Sequence, residues 1–221
     1  MDYAIQRKNM VESQVRPSDV TDRRIIRAML ELPREMFVAE RYRALAYMDG
    51  AVPLEASQGS PRRVLLPARI LAKLLQAGEV DAAAAVLVVG AGTGYGAAVL
   101  SRLAASVVAL ESDGKLLAAA RSALGAIGIS NVSVAEGALP LGKTEDAPYD
   151  LILIEGAVDS VPPALLDQLK DGGKLIAIVG RGATGQATVW QRSGSTFGAK
   201  TVFDASADLL PGFEKTPAFA F

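Results

Sequence analysis

The chain has 221 residues, half of them hydrophobic, with 23 Lys and Arg against 24 Asp and Glu. That length supports one substantial core and one active site, and the balanced charge excludes a chain-wide basic field of the kind that neutralises nucleic-acid phosphates. Histidine and cysteine are both absent, which excludes disulfides, thiolate and Ser-His-Asp catalysis and His-ligated zinc; chemistry must rest on positioning, carboxylates, hydroxyls or a cofactor, and no metal site is expected.

The opening MDYAIQRKNMVESQVRP is polar throughout and lacks the apolar run of a secretory signal. No uninterrupted apolar stretch of about 18 residues follows, so a cytoplasmic protein with no membrane span and no nucleic-acid partner is expected, its oligomeric state open. Apolar residues at Val20, Ile25, Ile26, Met29 and Leu30 predict a helix, with Ser18, Thr21 or Asp22 as its N-cap and Pro33 closing it. Residues 34–66 read as irregular, with a short helical pattern near 40–47 and then a loop carrying Ser57, Gly59, Ser60 and Pro61 and ending in Arg62-Arg63.

Beyond Pro67, ARILAKLLQAGEV places Ile70, Leu71, Leu74 and Leu75 on one helical face that ends near Gly78. Continuous apolar runs at 85–89 and 106–110 flank a helix at 95–103, the pattern of two buried parallel strands around a crossover helix. A helix at 114–127, strands at 131–135 and 149–154, a helix at 162–169 and a strand at 174–179 continue the alternation. The fold class is therefore α/β, a doubly wound Rossmann-like sheet preceded by N-terminal helices. ATVWQR and KTVFDA, around Ser193-Gly194-Ser195, predict a closing antiparallel hairpin at its edge, and the terminal LLPGFEKTPAFAF reads as edge packing, with a partner's surface as the alternative.

In an open α/β sheet the ligand binds beyond the carboxyl ends of the strands, which puts Gly90-Ala91-Gly92-Thr93-Gly94 at the expected site. Glycines let a ligand approach the backbone, and the amides opening the next helix face it. A dinucleotide turn carries its third glycine three positions after the second; Tyr95 stands there instead. Glu111 ends the next strand seventeen residues after Gly94, where a carboxylate accepts the protons of both ribose hydroxyls of an adenosyl group. Glu111 serves a nicotinamide cofactor equally well, and a plain tight turn with a solvated strand-end acid is the bland alternative.

With these residues in place, the chain resembles the protein-L-isoaspartate O-methyltransferase family from about Val20 to Gly180. VTDRRIIRAMLELPREMFV, AYMDG, VGAGTGYGAAVLSRLA and APYDLILIEGAVDSVPPALLDQLKDGGKLIAIVG resemble its blocks, in its order. The resemblance implies a class I methyltransferase fold: residues 1–80 as a helical and substrate-loop region and 81–221 as the S-adenosylmethionine-binding core of one compact domain. It further implies S-adenosylhomocysteine as product and, as partner, a protein or peptide containing isoaspartate. Gly90, Ala91, Gly92, Thr93, Gly94 and Tyr95 would border the cofactor, Glu111 would hold its ribose, and Ser112, Gly137, Ala138 and Glu155 would lie nearby.

Three positions depart from the family. Leu65 stands where it carries an active-site serine, in a loop about two residues longer; Val88 replaces an acid before the first glycine; Ala138 replaces an aspartate near the adenine. Ser57 and Ser60 are candidate replacements for the hydroxyl, and Arg62 and Arg63 for gripping a substrate carboxylate. Tyr47 and Asp49 read as structural, with a place near the substrate opening as the alternative. The departures motivate an alternative, a descendant that keeps the fold but has lost or altered activity; a nicotinamide-dependent oxidoreductase is the third reading.

Overall fold

In the computed structural model, which describes residues 2–180 and 182–215, the Asp2 carboxylate accepts from the Ala4 and Ile5 amides and starts α1 (Tyr3–Met10). The helix continues through a π-helical turn, Val11–Val15, that buries Met10, Val11 and Val15. The polar composition of this segment concealed it, because only a narrow stripe is apolar. Asp22 caps α2 (Arg23–Glu31), accepting from the Arg24 amide at 2.8 Å. Residues 34–37 and 40–45 form 3-10 turns, and β1 (Val52–Pro53) pairs antiparallel with β2 (Val64–Leu65). That two-residue hairpin is too short to show a period, which is why the segment read as irregular.

α3 (Ala68–Gly78) leads into the alternation of β3 (Ala85–Val89), α4 (Tyr95–Leu100), β4 (Ser106–Glu111), α5 (Gly114–Ala126) and β5 (Val132–Glu136). β6 (Tyr149–Val158), α6 (Pro163–Leu166), β7 (Leu169–Val179), β8 (Gln186–Ser193) and β9 (Thr196–Asp204) complete it. The sheet order is β5-β4-β3-β6-β7-β8-β9. β3 to β7 are parallel, and β8 and β9 add the antiparallel hairpin at the edge. The order reverses at β3, so the crevice beyond the ends of β3 and β6 is the ligand position of a doubly wound sheet.

Alternate residues of each central strand face opposite layers. Val86, Val88, Ala109 and Leu153 pack toward the N-terminal helices, while Leu87, Val89, Leu110 and Ile154 pack toward Leu139, Leu165 and Phe213. The second layer is the thinner. The helix expected over 162–169 is a single turn, Pro163–Leu166, because the chain returns to the sheet at Leu169. Nor does the tail pack along the sheet edge as expected: the Leu210 amide donates to the Ala157 carbonyl at 2.9 Å, which lays residues 208–213 across the carboxyl ends of the strands. Residues 216–221 of the tail lie outside the described residues.

Candidate functional site

The turn after β3 needs its glycines for two reasons. Gly90 and Gly92 have φ of +75° and +57°, a region costly for residues with a Cβ. A Cβ on Gly90 would also stand 2.7 Å from Leu210 Cδ1, and one on Gly92 2.9 Å from Leu54 Cδ1. The Thr93 hydroxyl donates to the Phe37 carbonyl at 2.5 Å, tying the turn to the N-terminal segment. Gly94 precedes α4, and Tyr95 opens that helix fully buried, edge-on to Phe37 with ring centroids 5.4 Å apart.

Glu111, at the end of β4, has no solvent exposure. Its Oε2 accepts from the Gly92 amide at 2.7 Å, and its Oε1 from the Ser112 and Asp113 amides at 2.8 and 3.0 Å. Arg63 supplies two more bonds, Nη1 to Oε1 at 2.8 Å and Nη2 to Oε2 at 2.7 Å, with Nη2 also donating to the Gly90 carbonyl at 3.1 Å. This is the bidentate fork that guanidinium and carboxylate geometry favour, with both partners buried.

Asp113 caps α5 and fastens the loop that carries Arg63. It accepts from the Lys115 and Leu116 amides at 3.0 and 3.1 Å. Its other bonds come from the Ser57 amide and hydroxyl at 2.9 and 3.0 Å and the Ser60 hydroxyl at 2.7 Å. Burial raises this carboxyl, but the hydrogen bonds from Ser60, the Ser57 and Leu116 amides and the Ser57 hydroxyl prevail and hold it down at about 2. It stays ionised wherever the protein is folded near neutrality.

Under the turn lies a second buried polar group. Arg34 donates to the Ala46 and Leu66 carbonyls, each at 2.7 Å, and its guanidinium stacks 4.8 Å from the Tyr95 ring centroid. Glu155, on β6, sits against α4, where a Cβ on Gly96 would collide with its carboxylate. Arg34 Nη1, Tyr95 Oη and Glu155 Oε2 have no partner among the described residues. Burial pushes the Glu155 carboxyl up to about 8, against the attraction of Arg34 and Arg63 and with the repulsion of Glu111.

A family model for protein-L-isoaspartate(D-aspartate) O-methyltransferase matches residues 5–204. The protein-L-isoaspartate O-methyltransferase of Koribacter versatilis is 39% identical over 178 residues, covering 80% of this chain and 78% of its own length. That of Methanoregula boonei is 38% identical over 192 residues, covering 87% and 86%. The chain belongs to the protein-L-isoaspartate O-methyltransferase family. A solved protein-L-isoaspartate O-methyltransferase superposes with a TM-score of 0.83 at 27% identity, over 93% of this chain and 66% of that one. A Plasmodium falciparum structure described as the same type of enzyme, in complex with S-adenosyl-L-homocysteine, shares the fold with a TM-score of 0.74 at 18% identity, over 90% and 95%.

The chain is thus an O-methyltransferase of a family named for its action on protein L-isoaspartate, and the nicotinamide reading falls. Among the described residues no helix is long and apolar enough to cross a membrane. The chemistry of these residues suits an adenosyl group: a glycine wall, the strand-end acceptor Glu111, and the half-buried Gly137 and exposed Ala138 beside it, with the Gly137 amide donating to the Glu111 carbonyl at 3.2 Å. Its space, in this conformation, is filled by the chain itself. Leu54 and Leu210 cover the glycines and Arg63 holds Glu111; the cavity between Arg63, Glu155, Gly156 and Leu210 is about 10 Å³, room for roughly one water, and a larger one, bordered by Phe37, Leu54, Thr93 and Lys115, is about 140 Å³.

The expectations for Arg63, Ser57 and Ser60 are corrected here; those for Ser112, Glu155, Tyr47 and Asp49 are not contradicted. Arg63 does not wait for a substrate carboxylate; its guanidinium is buried against Glu111. Ser57 and Ser60 do not offer free hydroxyls, because both donate to Asp113. Ser112 is exposed, its amide turned to Glu111, and Glu155 is part of the buried cluster with Arg34. Tyr47 is buried and hydrogen-bonded to Arg7 and Glu35, and Asp49 pairs with Arg69 on the surface, so both are structural. Asp113, Arg34, Leu54 and Leu210 were missed. Of these only Asp113 had a local signal, an N-cap acid before a helix.

Leu65 is 2% exposed and part of the core beneath the N-terminal helices. Leu65→Ser, which writes the family residue back, is expected to destabilise the protein by about 2 kcal/mol or more through the cavity and the buried hydroxyl. Thermal unfolding alongside a methyl-transfer assay checks this. Transfer is expected not to rise, and a gain in rate would show that the position still faces substrate.

Proposed function

We propose that the chain methylates the free carboxylate of isoaspartyl residues in damaged proteins. The observation that carries this reading is the position of Glu111: a buried acid at the end of β4, 2.7 Å from the Gly92 amide of the glycine turn, inside a chain whose family performs that reaction. Gly90, Gly92 and Gly94 would form the wall against the cofactor, Glu111 would receive its ribose, and Ser112, Gly137 and Ala138 would border its adenine.

S-adenosylmethionine supplies an electrophilic methyl group. The protein need not supply a base, because an acceptor carboxyl with a pKa of about 4 is already ionised at neutral pH. A chain without histidine or cysteine is equal to that task, since alignment and exclusion of water are what the reaction asks of it. With Leu65 buried, orientation of the acceptor passes from a hydroxyl to a charge. Arg62, exposed at the rim and paired with Asp208 at 3.2 Å, is the cation placed to meet the acceptor carboxylate.

Transfer of labelled methyl from S-adenosylmethionine to an isoaspartyl peptide, with the matching aspartyl peptide as control, tests the reading. Transfer confined to the isoaspartyl peptide is the expected result. Background transfer to both, from protein shown to bind S-adenosylhomocysteine, would reject this acceptor.

A further inference from the structure

We propose that Arg63 competes with the cofactor inside the molecule: its guanidinium holds the ribose-binding carboxylate of Glu111, and the strap that carries it must yield before S-adenosylmethionine binds. The proposal rests on the reading of Glu111 as the ribose acid.

The donor count makes the two occupants exclusive. Of the five strong bonds that Glu111 accepts, three come from the amides of Gly92, Ser112 and Asp113 and belong to the frame of the site. The other two, at 2.8 and 2.7 Å, come from Arg63. A ribose diol offers two hydroxyl donors to the same two oxygens, so it replaces the guanidinium fork bond for bond and cannot coexist with it. Shape gives the same answer. Ligand pockets run to roughly 300–1,000 Å³, and here Leu210 and Leu54 lie against Gly90 and Gly92, leaving about 10 Å³ between Arg63 and Glu155 and about 140 Å³ between Leu54, Thr93 and Lys115.

The middle of the strap is built for exchange. Residues 57–62 are exposed, and between the apolar ends at Leu54 and Leu65 the fastenings are polar: Glu55 to Lys115 at 3.2 Å, Ser57 and Ser60 to Asp113, and Arg62 to Asp208. Water can replace each of these polar contacts, whereas an apolar anchor would have to be torn from a core. The Arg62–Asp208 pair also joins the strap to the tail that carries Leu210, so the two covers of the glycine wall are linked. A protein whose binding-competent form is a fraction of the whole shows its intrinsic affinity reduced by that fraction.

Calorimetric titration of S-adenosylhomocysteine into the wild type, Arg63→Ala, Arg63→Met and the double variant Ser57→Ala/Ser60→Ala tests the proposal. Both Arg63 variants are expected to bind about tenfold tighter than wild type or better, and the serine variant, which keeps Arg63 but frees the strap, to fall between. Arg63→Met retains the stem of the side chain and so guards against a folding defect in Arg63→Ala. In the wild type, amide hydrogen exchange across residues 54–65 is expected to speed up on binding. Wild-type binding with equal or weaker binding by the Arg63 variants overturns the competition alone, as does a strap that becomes more protected. Absence of binding by every form up to millimolar ligand overturns the cofactor reading and the proposal with it.

Discussion

Glu111→Ala is expected to lower the unfolding free energy of the ligand-free protein by about 3–5 kcal/mol, because it strands the Arg63 guanidinium in a buried site. Arg63 would keep one bond, to the Gly90 carbonyl at 3.1 Å, and the Gly92, Ser112 and Asp113 amides would lose their acceptor together. An acid present only to receive a ribose would matter little until ligand was added. Here it holds the turn, the start of α5 and the strap in one network. Denaturant unfolding of Glu111→Ala, Arg63→Ala and the double variant separates the contributions. The double variant is expected to be more stable than Glu111→Ala, since it removes the stranded charge together with its partner. Loss of less than about 1 kcal/mol in Glu111→Ala would mean that the pair is not formed in solution.

Glu155→Gln is expected to act in the opposite direction and stabilise the protein near neutrality. Burial holds the folded Glu155 carboxyl at about 8, above its ordinary 4.5, so the folded state keeps a proton that the unfolded chain releases. Stability on this account is greatest below pH 4.5 and is lost as the pH rises toward 8. At about 1.4 kcal/mol per pH unit, the loss is on the order of 3 kcal/mol at pH 7. Glutamine has the same shape and no proton to lose. Thermal unfolding across pH 5 to 8 should show a flatter profile for Glu155→Gln and a higher midpoint at the upper end. A lower midpoint, with a flat wild-type profile, would establish that Glu155 is ionised and paired in charge with Arg34.

The two predictions bear on one property of the site. Its two acids are held from within, Glu111 by the Arg63 guanidinium and Glu155 by a proton kept through burial at a cost to stability near neutrality. A cofactor entering such a site must displace an internal partner rather than fill a vacancy.

The core of the fold was legible because its physics is local. Strands buried on both faces must be apolar at every position, and Ala85–Val89, Ser106–Glu111 and Tyr149–Val158 are buried nearly throughout, so their runs stand out in the chain. The turn after β3 was legible through residues with restricted roles, glycines at positive φ followed by the helix start. The edge hairpin was marked by alternation around Ser193-Gly194-Ser195. Elements with weaker periods were lost, namely the narrow apolar stripe of α1 and the two-residue pairing of Val52–Pro53 with Val64–Leu65, and α6, expected over 162–169, is shorter than its pattern suggests.

At the site, the sequence by itself determined the glycine wall and the acid that ends β4, since both follow from a strand and its immediate neighbours. Only the tertiary structure decided what faces them. Arg63 and Glu111 lie 48 positions apart, and Ser57 and Asp113 56; nothing local distinguishes a buried partner from a solvated charge. Leu210 reads as a tail residue until the chain returns past β6 and sets it on Gly90. A loop's partners are set by where folding brings the strand ends, and that placement turned two arginines of apparent surface type into one exposed cation, Arg62, and one guanidinium buried against Glu111, Arg63.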